Sequence, residues 1–118
     1  MDKAIWLKKP EKHDYEAAYN YLTLLFEPDI AKKYVDQLKD ADIYVRKSKD
    51  ILRASRLPNL PRSNVHVKDN ILKLKKGEKL SPVLLVRKDD GLIIADGYHR
   101  VCTIYYMSED FEIPCKLI

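Results

Sequence analysis

One stretch of the chain, residues 82–101, decides the fold, and it reads PVLLVRKDDGLIIADGYHRV. The unbroken apolar run at its start predicts a buried strand over 82–87. Asp90-Gly91 is typical of a hairpin turn, and the apolar residues 92–95 after it predict the returning strand. The stretch therefore predicts two neighbouring antiparallel strands with a short connection.

The returning strand leads through Asp96-Gly97 directly into a helix, predicted from Tyr98 to Met107. A helix start offers unpaired backbone N–H groups and the positive end of the helix dipole, and both attract anions. Gly97 permits a sharp turn and the close approach of a ligand. His99 and Arg100 add cations where the dipole alone disfavours them, so the turn is predicted to hold a phosphate. The alternative is an ordinary turn in which Arg100 pairs with an acid such as Asp96.

Two helices are expected before the sheet. The first runs from Asp14 to about Phe26 and the second from Asp29 to about Ala41, each with its aspartate as the N-cap. Their apolar stripes consist of Tyr15, Ala18, Tyr19, Leu22, Leu25 and Phe26, and of Ile30, Tyr34, Val35, Leu38 and Ala41. Aromatic residues at helical spacing favour core over a base-stacking surface, so we expect both stripes to pack on the rest of the chain.

The other elements follow from β-prone residues and from helix breakers. They are a strand over Ile43–Lys47, a short helix over Lys49–Ser55, a proline-rich loop over 57–62, a helix from Ser63 or Asn64 to about Lys76, and a last strand in which Ile113, Cys115 and Leu117 form the one buried face. Ser63, His66 and Asn70 share a polar face of the second of these helices. The fold class is α+β, a small mixed sheet with packed helices.

Length and composition limit the class of protein. The 118 residues suffice for one domain and not for two, with residues 1–42 as a helical extension of a core over 43–118. No run approaches the roughly 18 apolar residues of a membrane-spanning helix, and Met1–Lys9 lacks the apolar stretch of a secretory signal. Cys102 and Cys115 are expected to be small core residues in a reducing compartment, so we expect a cytoplasmic protein without a membrane partner.

The net charge of +4 is unevenly distributed. Eleven lysines and arginines and three acids lie between Ile43 and Lys79, a net charge of +8 that leaves −4 for the remainder. Such a segment favours anionic partners, although a solvated helical face without a partner explains it equally well. These cations include no recognisable recognition helix, so any binding of duplex nucleic acid is expected to be weak and independent of sequence.

The string from Gly91 to Ile104, with Asp96-Gly97-Tyr98-His99-Arg100 at its centre, resembles the signature of the ParB/sulfiredoxin superfamily. In that superfamily a hairpin strand ends in a Gly-x-His-Arg turn that opens a helix. The order of elements over residues 43–118 also resembles the ParB N-terminal domain, and the last six residues resemble the closing strand of sulfiredoxins. The resemblance implies a nucleotide-binding fold, in which ParB members hydrolyse CTP, sulfiredoxins use ATP and some relatives are free serine kinases.

The chain departs from both named groups. Sulfiredoxin chemistry needs a cysteine between the glycine and the histidine, and Tyr98 stands there. The helix-turn-helix that follows this domain in ParB has no counterpart before Ile118. The resemblance also places Ser63, His66 and Asn70 near the nucleotide, because the matching helix of sulfiredoxins reaches it.

Three functions remain open at this point. The first is a nucleotide-binding protein, an NTPase or a small-molecule phosphotransferase, with a nucleoside triphosphate and Mg²⁺ as ligands. Gly97, Tyr98, His99 and Arg100 would bind the phosphates, and Asp96 or Asp50 would be the Mg²⁺ ligand or the catalytic base. The second is a DNA-binding protein or nuclease of the ParB-like type, and the third is a non-catalytic interaction protein. No set of cysteines and histidines has the spacing of a structural zinc site.

Overall fold

The computed structural model describes residues 5–118, so the Met1–Lys9 segment, for which no secretory signal is expected, lies partly outside the described residues. The elements are α1 (Lys12–Leu22), α2 (Pro28–Asp40), β1 (Ile43–Lys47), α3 (Ser48–Ser55), α4 (Val65–Lys75), β2 (Val83–Lys88), β3 (Gly91–Asp96), α5 (Tyr98–Met107) and β4 (Glu112–Leu117). The α+β class is confirmed, and every predicted strand and helix is present with its bounds shifted by a few residues.

The four strands form one mixed sheet in the order β1-β4-β2-β3. The hairpin pairs β2 with β3 antiparallel, as Asp90-Gly91 predicts. β4 lies between β1 and β2, antiparallel to the first and parallel to the second. β1 is an edge strand, and all five of its residues are exposed.

Both faces of β2 are buried because both faces of the sheet carry helices. Val83 and Leu85 lie in a core with α3, α4 and α5, which also contains Ile94, Val101, Ile104, Ile113 and Cys115. Leu84 and Val86 lie in a second core under α1 and α2, together with Ala18, Leu22, Ala31, Val35, Leu38 and Ala95. The unbroken apolar run is thus explained by alternation between two separate cores.

The N-terminal helices pack on the sheet as their stripes predict, but their starts and edges differ from the prediction. Glu27 rather than Asp29 is the N-cap of α2, because Pro28 takes the first helical position, which suits its fixed φ. In α1 the N-cap is Glu11, and Asp14 lies in the first turn, where its carboxylate accepts the Glu11 N–H at 2.8 Å. Leu25 and Ile30 are exposed, since they flank the turn between the two helices.

The prediction of a single buried face for β4 is wrong at Lys116. Ile113 and Cys115 are buried on one face as expected, but Lys116 is also buried, on the opposite face under the C-terminus of α2. Its Nζ donates to the carbonyl of Lys39 at 2.8 Å. The negative end of a helix dipole suits a lysine there.

Two further expectations from composition can be compared with the described residues. Cys102 and Cys115 are both buried free thiols. Over residues 5–118, no helix has the length and apolar character needed to cross a membrane.

Candidate functional site

The predicted phosphate turn lies where β3 ends and α5 begins. A register shift between Leu84 and Leu85 interrupts the β2–β3 ladder opposite the end of β3, as a bulge does beside many functional sites. Gly97 then has φ +113°, and a Cβ added there would overlap the Val83 Cγ1 atom. The glycine is therefore required by backbone conformation and by contact with the sheet, before any ligand is considered.

A cleft of about 250 Å³ opens between α4 and the start of α5. It is lined by His66, Asp69, Asn70, Lys73, Asp96, Gly97, His99 and Arg100. Six of these eight residues are among those predicted from the sequence, and they come from two segments that the fold brings together. Among residues 5–118 no side chain caps the N-terminus of α5, which leaves its first-turn N–H groups available to a ligand.

Arg100 has the partner that the alternative interpretation assigned to it. Its Nη2 atom donates to the Asp96 carboxylate at 2.9 Å and lies 3.5 Å from the Pro82 carbonyl. Its Nη1 atom lies 3.6 Å from the carboxylate of Asp14, which α1 supplies from the other face of the sheet. The guanidinium is mostly buried and its Nε is without a partner among the described residues. Arg100 thus lines the cleft, but its guanidinium is already engaged by two carboxylates, Asp96 through a hydrogen bond and Asp14 through an ion pair.

Two carboxyl groups face this one guanidinium, and they titrate differently. Burial raises the pKa of Asp96 from 3.8 to about 6, although Arg100 opposes the shift. Burial also acts to raise the pKa of Asp14, but hydrogen bonds from Ser81 and the Glu11 backbone, together with Arg100, outweigh it and hold that pKa below 3.8. The two carboxyl groups also influence each other, because Asp14 raises the pKa of Asp96 and Asp96 lowers that of Asp14. Near neutral pH Asp14 is the ionised partner, and Asp96 is the group that exchanges a proton.

Two histidine rings form one wall of the cleft. The rings of His66 and His99 are tilted against each other with centroids 4.6 Å apart. Burial lowers the pKa of His99 below 6.5, and the nearby His66 and Arg100 lower it further. His99 is therefore neutral at pH 7, and a bound anion would favour its protonation.

Three residues predicted for the site lie elsewhere. Tyr98 packs against the core and its hydroxyl donates to the carbonyl of Pro58. Ser63 precedes α4 and lines a different groove, beside Arg62 and Tyr106. Asp50 lies on α3, where its Oδ1 is 3.3 Å from Lys49 Nζ and 3.3 Å from Arg53 Nη2. Asp50 is therefore an ion-pair partner on another surface and does not join Asp96.

The fold adds three residues that the sequence did not single out. Lys73 and Asp69 lie on the same helix as His66 and Asn70, and the separations of three, four and seven residues from His66 place them on one face. Helical spacing alone could have identified these two. Asp14 had no such signal, since its sequence context is that of a helix cap.

A second group of polar residues lies at the start of α1. Ligand atoms of Glu11, His13 and Asp14 lie within 4.8 Å of one another. The His13 Nε2 atom is 3.6 Å from Asp14 Oδ1, the same oxygen that faces Arg100. This group is explained by capping and ion pairing at the helix start.

Comparison with known proteins identifies no relative of this chain. No family model, no curated protein and no solved structure matches it. The function is therefore argued from the cleft.

Proposed function

We propose that the cleft between α4 and α5 binds the phosphate groups of a nucleotide, in a fold of the ParB/sulfiredoxin type. The observation that carries the proposal is the convergence of Lys73, His66 and His99 on the uncapped N-terminus of α5. A lysine ammonium, imidazole groups that can donate a hydrogen bond, and free N–H groups at one helix start are a combination that suits a phosphate group. The resemblance of residues 43–118 to that superfamily gives independent support from sequence.

The geometry assigns different tasks to the cations. Arg100 is held by two carboxylates that compensate its charge, so its task is to stiffen the turn. Lys73 is exposed and has no ion-pair partner among residues 5–118, which leaves its ammonium free for an anion. Asn70 offers an amide donor to the same space. Lys73, rather than Arg100, is therefore the principal phosphate contact in this proposal.

Proton transfer falls to Asp96 if the bound nucleotide reacts. A carboxyl group with a pKa of about 6 exchanges its proton readily near neutral pH, which suits a general base acting on water or on a hydroxyl group. The site would then be that of an NTPase or a small-molecule phosphotransferase. Asp69 also lines the cleft with carboxylate oxygens, the ligand type that Mg²⁺ prefers, so this residue would hold the ion of a magnesium nucleotide while Asp96 acts as the base.

Thermal unfolding in the presence of ATP, CTP, ADP or inorganic phosphate, with and without Mg²⁺, tests the proposal. A ligand that binds only the folded state raises the midpoint, by an amount that grows with its concentration. We expect a rise with at least one nucleotide, a loss of roughly tenfold in affinity for Lys73→Gln, and binding that strengthens as the pH falls far enough for His99 to become charged. Lys76→Gln is the matched control, because Lys76 follows the same helix and lies outside the cleft lining.

Two results would contradict the proposal. One is an unchanged midpoint with all four ligands at millimolar concentration. The other is an equal loss of affinity in Lys73→Gln and Lys76→Gln, which would show that the protein's net charge, and not a contact from Lys73, determines nucleotide affinity.

Sulfiredoxin activity remains excluded in this proposal. Tyr98 occupies the position of the required thiol, and Cys102 is fully buried, with its Sγ 3.5 Å from the Leu60 N–H. Burial raises the pKa of Cys102, which suppresses the thiolate that such chemistry needs.

A further inference from the structure

Two open grooves lie on either side of the proline-rich loop 57–62, outside the phosphate cleft. The first, of about 480 Å³, is lined by Lys49, Asp50, Leu52, Arg53, Arg56, Leu57, Asn59 and Tyr105. The second, of about 430 Å³, is lined by Arg62, Ser63, Lys68, Ile71, Leu72, Lys75 and Tyr106. Consecutive residues of α5, Tyr105 and Tyr106, supply one tyrosine to each groove. We call the pair the tyrosine grooves.

The second groove is strongly cationic. Arg62, Lys68 and Lys75 line it without any carboxylate, and within residues 5–118 none of the three forms an ion pair. Unpaired cations that share one concave surface attract a polyanion, because their fields add where no acid cancels them. Three of the eleven lysines and arginines between Ile43 and Lys79 thus line this one groove.

The first groove is also lined by more cations than acids. Asp50 is its single acid, and that carboxylate is already engaged by Lys49 and Arg53. Arg56 adds a third cation at the end of α3. The two grooves together therefore offer six cations against one acid along the loop.

Aromatic and apolar surface accompanies these charges. Tyr106 is 47% exposed, and the Arg62 guanidinium lies over its ring, 5.2 Å from the centroid. Leu72, in the same groove, is 43% exposed. An exposed tyrosine next to arginine is a stacking platform, which any unpaired base can use because every base has a π-face.

We propose that the tyrosine grooves bind single-stranded nucleic acid, with the cations on the phosphates and Tyr106 under a base. A duplex keeps its bases stacked on one another and cannot offer them to the tyrosine ring. A polyglutamate peptide satisfies the cations but has no flat ring systems to stack. The proposal is independent of nucleotide binding in the cleft, because the two sites share no lining residue.

Fluorescence anisotropy of the full chain with labelled single-stranded DNA and RNA, a duplex of the same length and a polyglutamate peptide tests this proposal at two salt concentrations. We expect the single strands to bind more tightly than the duplex and the peptide. The affinity should fall with salt, by a slope of about 0.7 for each phosphate contacted. The triple variant Arg62→Gln, Lys68→Gln, Lys75→Gln should lower that slope by about 2.

Two sets of control variants test whether binding depends on the cations of the grooves rather than on net charge, and whether it depends on the Tyr106 ring. Lys8→Gln, Lys9→Gln, Lys33→Gln removes the same charge from exposed residues outside the grooves and should bind almost as well as the wild type. Tyr106→Leu should weaken binding about tenfold, whereas Tyr106→Phe, which keeps the ring, should bind within about threefold of the wild type.

The proposal is overturned by any of four results. These are no binding of single strands at low salt, equal binding of duplex and single strand, peptide binding as tight as that of the oligonucleotide, and equal losses in the two triple variants. Circular dichroism of each variant verifies that the fold is retained.

Discussion

Gly97 is the residue at which the sheet and the candidate site are in closest contact. Its positive φ and its contact with Val83 leave no room for a side chain, and the Arg100 Nη2 atom would lie only 2.9 Å from an added Cβ. The residue therefore holds the turn that aligns Asp96 and Arg100. Both backbone strain and overpacking act against any substitution here.

We expect Gly97→Ala to destabilise the protein by roughly 2–4 kcal/mol, the sum of strain and overpacking. Gly77→Ala is the matched control, because Gly77 also has positive φ, +82°, but has nothing within 4 Å of the added Cβ. That control should cost only about 1 kcal/mol. Urea unfolding measures both, and equal losses would show that Val83 moves aside at no cost.

Asp96 makes stability depend on pH in a defined direction. Its pKa in the folded protein is about 6, above the ordinary value of 3.8, so the folded state binds the proton more tightly than the unfolded state. The stabilisation from this proton is complete below about pH 4 and is lost as the pH rises through 6, by at most about 3 kcal/mol.

We therefore expect the wild type to lose stability relative to Asp96→Asn between pH 4 and pH 7, since the amide cannot ionise. Asp14, whose pKa is lowered, loses its stabilising effect only as the pH falls below about 4. The stabilities of the two proteins are therefore compared from pH 4 upward. Denaturant unfolding at four pH values measures it, with Asp42→Asn, an exposed acid, as the control. If the difference in unfolding free energy between the wild type and Asp96→Asn stayed constant from pH 4 to pH 7, Asp96 would not have a raised pKa in the folded protein.

At the scale of the element, α2 is attached to the sheet at its C-terminus by Lys116. The ammonium donates to the carbonyl of Lys39, near the negative end of the α2 dipole, and lies 5.8 Å from the centroid of the Tyr15 ring. The buried amine thus joins β4 to α2 and also contacts α1. Its aliphatic stem fills space between the helices and the sheet.

Lys116→Ala should destabilise the protein by roughly 2–3 kcal/mol, because it leaves a cavity and an unpaired carbonyl. Lys116→Met keeps the volume and loses only the hydrogen bond, so it should cost about 1 kcal/mol. Lys79→Ala, at an exposed position, is the control and should change stability by less than about 0.5 kcal/mol. If the alanine and methionine variants were equally stable, filling of space by the stem would be unimportant.

At the scale of the whole molecule, the sheet is buried between two layers of helices. Without α1 and α2 the side chains of Leu84, Val86 and Ala95 would face water, although all three are buried in the protein. Removing residues 1–41 would also eliminate the ion pair between Asp14 and Arg100 and the β-bridge between Trp6 and Leu80. The N-terminal helices thus serve both the core and the candidate site.

We expect a fragment over 42–118 to aggregate or to form a molten globule that binds a hydrophobic dye and lacks a cooperative thermal transition. The full chain is the reference for both measurements. A monomeric fragment that unfolded cooperatively and bound nucleotide as tightly as the full chain would show that α1 and α2 are dispensable. Light scattering of the full chain would then test whether the two helices instead serve a dimer.

The amino-acid sequence by itself determined the local features of this protein. Apolar periodicity, Asp90-Gly91 and the helix breakers predict every strand and helix of the described residues, because these signals act over a few neighbouring residues. The same local argument predicts the turn at Gly97. It also predicts that β2 is a buried strand, since its apolar run is unbroken.

Only the tertiary structure decided which side chains meet. Arg100 is neutralised by Asp14 as well as by Asp96, and Asp14 comes from a helix that no local signal connects to the turn. Lys73 lines the cleft because α4 packs against α5, whereas Asp50 lies on α3 and faces another surface. Burial then determines the protonation of Asp96, and burial is a property of the whole fold that no short segment specifies.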